Sequence, residues 1–180
     1  MEPLKIAQTL QEKFPADVLG ITEYAGEISV TVKKNNILAL MRFLHDEPSI
    51  HLDYLRDLCG ADYMGIKENR FEVVYQLLSI NHNHGIRIKA EVPEKDCTID
   101  SVISIWRGVD WHERECFDLY GITFKGHPDL RRILLPEDWK GHPLRKDYPL
   151  KGPGPEEEWE GFKEVVRKAE RFKEFEWNNT

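Results

Sequence analysis

Apolar residues recur at helical spacing near the start of the chain, at Leu4, Ile6, Ala7, Leu10 and Phe14, and Pro15 marks where that helix stops. Val18 to Tyr24 and Glu27 to Val32 read as two strands joined through Ala25-Gly26 in a hairpin. A second helical pattern carries Ile37, Leu38, Leu40, Met41, Phe43 and Leu44, with Asn35 or Asn36 as its N-cap. Tyr54 to Met64 fits helix and strand equally. Phe71 to Ile80 is β-rich, Asn81 to Gly85 reads as a turn, Ile86 to Val92 as another strand, and Ser101 to Trp106 as a short helix. This order predicts an α+β fold, a two-layer sandwich of a mixed sheet with helices on one face.

The pattern changes at Trp111. One helix fits 109–120, and residues 1–120 are expected to form the α+β domain. Beyond it, four prolines and three glycines break 111–150 into short pieces, and seven acidic residues balance seven basic ones. A stretch so aromatic and so charge-balanced is not a disordered linker. It predicts an extended segment, 121–155, satisfied by another surface, its own domain or a partner. Within it Gly126-His127-Pro128 is echoed by Gly141-His142-Pro143, each followed by a leucine and a basic pair. Arg131, Arg132, Arg145 and Lys146, with Asp147, His127 and His142 of the same turns, form the candidate partner-docking set. Arginine forks suit carboxylates at an interface, and in the free chain these cations are expected to be solvated. After the Pro149–Pro155 break, 156–180 reads as an acidic amphipathic helix opening on Glu156-Glu157-Glu158. It either folds back or docks on a neighbour.

Composition narrows the function. A net charge of −7 argues against a nucleic-acid footprint. Cys59, Cys97 and Cys116 are scattered, which suggests reduced thiols in a cytosolic compartment rather than a disulfide framework, a zinc ribbon or a cluster site. The opening residues lack a basic n-region followed by a long apolar core, and the run Ile37 to Met41 falls far short of the roughly 20 residues that span a bilayer. Any membrane contact is therefore expected to come through partners.

Candidate chemistry is sparse. On the 109–120 helix, Val109, Cys116, Phe117 and Tyr120 share one face at about 100° per residue, with Glu113 in its middle. A carboxylate there needs a cation or a raised pKa, and Arg131, Arg132 and Arg145 are its candidate partners. Glu113, Arg114, Glu115 and Asp118 are read as structural ion-pairing residues, Arg114 and Asp118 as an i,i+4 surface pair. His82 and His84 read as solvated turn residues, a metal site only if a third ligand arrived from elsewhere. No nucleotide-binding or hydrolase motif is present.

Segment 111–149 resembles the signature of the 30-kDa subunit of the proton-pumping NADH:quinone oxidoreductase, respiratory complex I. Glu113, Arg114, Glu115 and Asp118 match its opening, and Tyr120, Gly121, Phe124, Gly126, His127 and Pro128 its middle. Leu130, Arg132, Ile133 and Leu134 continue it, and Gly141, Pro143, Leu144, Arg145, Lys146, Asp147 and Pro149 close it. Asp57 to Tyr63 and Phe71 to Tyr75 extend the likeness over roughly residues 1–150. The resemblance implies a non-catalytic subunit of an enzyme that passes electrons from NADH to quinone and translocates protons. It would belong to the peripheral arm, at the cytoplasmic face of a bacterial inner membrane. Its partners would be the quinone-site subunit and the iron–sulfur subunits. FMN, iron–sulfur clusters and quinone would reside in those partners and no cofactor or metal in this chain. The alternative is the equivalent subunit of an energy-converting hydrogenase or a photosynthetic-type dehydrogenase. A stand-alone metal hydrolase using His82 and His84 is the weakest reading.

Overall fold

The computed structural model describes residues 2–150 and 160–173. Helix α1 (Pro3–Lys13) starts on a proline at its first turn, where a missing N–H costs nothing. Strands β1 (Val18–Tyr24) and β2 (Glu27–Lys33) pair antiparallel, and Ala25 and Gly26, both at positive φ, turn between them. Helix α2 (Ile37–Asp46) follows a single 3-10 turn at Lys34–Asn36. Asn36 is the cap position, but its amide donates to Asp17 Oδ2 at 3.0 Å rather than bonding the helix end.

Strands β3 (Tyr54–Asp62), β4 (Phe71–Ser79) and β5 (His84–Val92) complete a mixed sheet in the order β1-β2-β5-β4-β3. The ambiguous stretch after Tyr54 is thus a strand. The β2–β5 pairing is parallel, which puts β5 at the centre, where its side chains alternate between buried and half-buried. Val30, Val32, Phe71, Val73, Tyr75, Ile86 and Ile88 form the covered face, with Ile6, Ala7 and Leu10 of α1 packed over β2 and β5. Thr31, Val74, Gln76, Arg87, Lys89 and Glu91 lie on the other face and stay half-buried. Each fully buried Ile, Leu or Phe contributes about 1.5–3 kcal/mol.

The chain then makes β6 (Thr98–Asp100), helix α3 (Asp110–Tyr120) and β7 (Thr123–Lys125), which pairs parallel with β6. Two expectations change here. Residues 101–106 form a turn, not a helix. The β-branched Val102, Ile103 and Ile105 weaken a helix, and the Ser101 hydroxyl and Val102 N–H are committed to Glu113. The folded domain also runs past residue 120, because Ile122 and Phe124 are buried in the core.

Helix α3 lies over β3, and Gly60 lets it close: a Cβ there would meet the Tyr120 ring at 2.6 Å. A last helix, α4, is described over Glu160–Lys173, with Val165 and Val166 exposed. The Gly152–Pro155 break, Glu156–Glu158, Trp159 and Phe175 lie outside the described residues, as do the side chains of Phe162, Ala169 and Phe172.

Candidate functional site

Residues 126–150 fold back over α3, and Asp118 is the pivot. Its side chain is fully buried, although the pattern along the helix put it on the solvent face. Oδ2 accepts three successive backbone N–H groups, from Ile133 at 3.0 Å and from Leu134 and Leu135 at 2.8 Å. Oδ1 accepts Arg132 Nη1 at 2.7 Å. Burial alone would raise this carboxyl, but the Leu135, Arg132, Leu134 and Ile133 donors hold it below the usual carboxylate range. The i,i+4 pair expected between Arg114 and Asp118 does not form. Arg114 instead reaches the carbonyls of Arg131 at 3.2 Å and Arg132 at 3.1 Å. Arg132 also spans to the carbonyls of Trp139 at 2.9 Å and Gly141 at 3.0 Å, so one guanidinium gathers two stretches of the wrap.

The two Gly-His-Pro turns have a shared structural task. Gly126 and Gly141 sit at φ +83° and +81°, a conformation that suits glycine, and each aims the next histidine onto α3. His127 lies at the start of that helix, its Nε2 3.4 Å from the Asp110 carbonyl. His142 lies at the other end, donating Nδ1–H to the Asp118 carbonyl at 2.9 Å and packing edge-on to Phe117. Burial pushes the His142 pKa down. Gly121, the left-handed cap of α3, leaves the room: a Cβ there would strike the His142 ring at 2.5 Å and Arg145 at 2.7 Å.

A second charged centre clamps the far end of the wrap. Arg70 and Asp62 are buried side by side, with Nε to Oδ1 at 3.0 Å and Nη2 to Oδ2 at 2.8 Å. Arg70 also takes Asp147, Nη2 to Oδ1 at 2.7 Å, and Glu94. The hydrogen bonds that Arg70 donates to Asp62 lead in raising its pKa above the usual value. The Lys146 N–H donates to Asp62 Oδ2 at 2.8 Å. Arg145 donates Nε–H to the Tyr120 carbonyl at 2.6 Å and lies over the Phe71 ring. Asp62 and Arg70 were not singled out from the sequence. Only the register that sets Asp62 opposite Phe71 brings them together, and no local pattern announces it.

Arg132 and Arg145 are therefore engaged within the chain rather than solvated, and Asp147, though exposed, is paired with Arg70. Arg131 is 63% exposed and pairs at the surface with Asp129 at 3.0 Å, and Lys146 is exposed. Glu113 meets none of the three arginines proposed for it. Its fully buried carboxyl accepts from Ser101 Oγ at 2.6 Å and the Val102 N–H at 2.8 Å. Burial drives its pKa up to about 7, against the pull of those two donors and with help from Asp110. Glu115 is exposed, beside Cys59 and Tyr120. His84, expected in solvent, is buried and bonded to the Ile50 carbonyl at 2.7 Å, with His82 stacked on it.

Turned outward are the apolar side chains of the same region: Trp111, Leu134, Leu144 and Leu150 are all exposed. Polar groups tie the backbone down and leave Leu134, Leu144 and Leu150 free, the reverse of a solvent-facing loop. Among the described residues no group of three His, Cys, Asp or Glu is placed to share a metal ion, and no helix is long and apolar enough to cross a membrane.

Residues 30–154 match the family described as respiratory-chain NADH dehydrogenase, 30 Kd subunit. The chain is 50% identical over 147 residues to the C subunit of the NADH-quinone oxidoreductase of Geobacter metallireducens, covering 82% of this chain and 90% of that one. A solved trypsin-resistant fragment of Nqo5 superposes with a TM-score of 0.60 at 27% identity, covering 72% of this chain and all of the fragment. A chain of the membrane-bound sulfane sulfur reductase, an archaeal respiratory membrane complex, shares the fold, with a TM-score of 0.67 at 18% identity over 100% of this chain and 96% of that one.

Proposed function

Since the chain belongs to the family of 30-kDa subunits of respiratory-chain NADH dehydrogenase, we propose that it serves an NADH:quinone oxidoreductase as a docking subunit without a catalytic centre of its own. The observation that carries the docking role is the two-sided wrap. Asp118, Arg132, Arg70 and Asp62 hold its backbone to the domain, while Trp111, Leu134, Leu144 and Leu150 stay exposed. Ordering this segment in advance lowers the entropy cost of binding, so its apolar side chains can serve as anchors for a partner. Arg131 and Lys146, both exposed, would steer acidic partner surfaces.

The partners in this reading are the quinone-site subunit and the iron–sulfur subunits of the peripheral arm, at the cytoplasmic face of the membrane. Flavin, clusters and quinone are theirs. The buried ions Asp118, Asp62 and Arg70 each have a structural task, which supports a scaffold rather than a reaction centre. The test replaces Leu134 and Leu144 together by Glu. Recovery of the whole complex on native gels is expected to collapse while the melting temperature of the free chain holds. Normal assembly of that variant would defeat the docking reading. Stoichiometric flavin or iron–sulfur absorption in the purified chain would defeat the cofactor-free one.

A further inference from the structure

At the start of α3, two fully buried side chains face each other, Glu113 Oε2 lying 4.0 Å from His127 Nε2. Asp110 Oδ1 is 3.4 Å from the same nitrogen and is buried without a hydrogen-bond partner. From β4 comes Tyr75, fully buried, its hydroxyl also unpartnered, and Cys116 of α3 is buried in the same core. Asp100 of β6 and Glu113 both bear electrostatically on the Tyr75 phenol. The groups bonded to Glu113, Ser101 and the Val102 N–H, are neutral.

The imidazole is oriented by the turn that follows it. The Asp129 N–H donates to His127 Nδ1 at 3.1 Å, so that nitrogen must keep its lone pair and the ring carries its single proton on Nε2.

We propose that Glu113 is a proton-uptake site at the base of the wrap: protonated, it lets His127 and the first Gly-His-Pro turn pack against the Asp110 end of α3; ionised, it loosens them. Neutralising this carboxyl removes the like-charge repulsion from Asp110 and ends the burial of an uncompensated charge. The pKa of about 7 agrees with that geometry. Its folded value lies above the ordinary value of 4.5, so the contribution to stability is fully present below pH 4.5 and is lost as pH rises to about 7. The wrap's hold on its own domain therefore weakens across the neutral range.

Carboxyl carbon NMR of the full chain labelled at glutamate tests this, with Glu113→Gln used to assign the resonance. The Glu113 signal is expected to titrate near neutrality, and a signal titrating in the ordinary glutamate range overturns the proposal. Hydrogen exchange at 101–103 and 126–129, corrected for the intrinsic pH effect, should rise between pH 6 and 8 by about tenfold and stay flat in Glu113→Gln. A rise that persists in Glu113→Gln also overturns it. His127→Gln, which keeps an N–H toward Glu113, should move the Glu113 titration by less than about one pH unit. A larger shift would place the proton on the imidazole instead. Should Glu113→Gln fail to fold, the wild-type titration still decides, with Glu113→Asp supplying the assignment.

Discussion

Arg70 and Asp147, 77 residues apart in sequence, are joined by two hydrogen bonds, Nη2 to Oδ1 at 2.7 Å and Nη1 to Oδ2 at 3.1 Å. The pair closes the wrap onto the domain, yet its halves carry unequal weight. Arg70 is buried against the fully buried Asp62, while the Asp147 side chain remains 46% exposed. Arg70→Met should therefore cost about 3–5 kcal/mol, because it strands Asp62 as a buried charge. Asp147→Asn should cost about 0–1 kcal/mol, as an exposed pair does. Denaturant unfolding of the two variants checks the ratio, and equal losses would mean that the wrap, not Asp62, sets the energy.

Arg145→Glu should destabilise the free chain. It would put a carboxylate against the Tyr120 carbonyl and remove the cation over Phe71. A loss of about 2–4 kcal/mol is expected from burying an unpaired charge that part-solvation relieves. An unchanged melting temperature would show that the guanidinium bond contributes nothing and that Arg145 is free to serve a partner.

Asp118 and Arg132 should be coupled. Asp118→Ala leaves the Ile133–Leu135 N–H groups without their acceptor as well as breaking the ion pair, so it should cost more than Arg132→Ala. A double-mutant cycle is expected to give a coupling of about 1–3 kcal/mol. Additive losses would show that the three N–H groups alone carry the contact.

Gly60→Ala should cost about 1–3 kcal/mol, since its Cβ would sit 2.6 Å from the Tyr120 ring in a packed interface. Tyr120→Leu in the same chain should recover part of that loss. Failure of the second change to help would place the strain in the strand rather than at the helix contact.

Acid should weaken the loop that His84 ties to Ile50. Burial lowers the His84 pKa below 6.5 despite that hydrogen bond, and His82 lowers it further. The folded state thus disfavours the proton, and the stability His84 contributes is present above pH 6.5 and lost as pH falls toward its folded value. Glu113 slopes the other way over pH 4.5–7. Melting curves of His84→Gln and Glu113→Gln should therefore diverge on acidification, the first relatively more stable in acid than the parent chain. Parallel curves would mean that neither group titrates as its surroundings dictate.

Much of the architecture follows from local sequence. Helical spacing at Leu4–Phe14 and 37–44, the Ala25-Gly26 turn and the alternating strands after Phe71 each depend on near neighbours, and each appears where the pattern put it. The signature across 111–149 likewise identified the family from the residues alone. The first Gly-His-Pro turn and its echo were visible too, although not what they do.

What only the tertiary structure decided is which charges meet. Asp118 looked like a surface residue because helical periodicity sees one helix and not the chain laid over its other side. Its burial is made by Arg132 and the 133–135 backbone, which arrive from outside the helix. Arg70, Asp62 and Asp147 come from a strand boundary, a strand end and a turn, joined by sheet register and the return of the wrap. Glu113 shows the division most plainly. Its place on the apolar face was legible, and so was the choice between a cation and a raised pKa. What the carboxyl meets was decided by the nearness of Ser101 and Val102 and by the distance of Arg131, Arg132 and Arg145, none of which any spacing along the chain encodes.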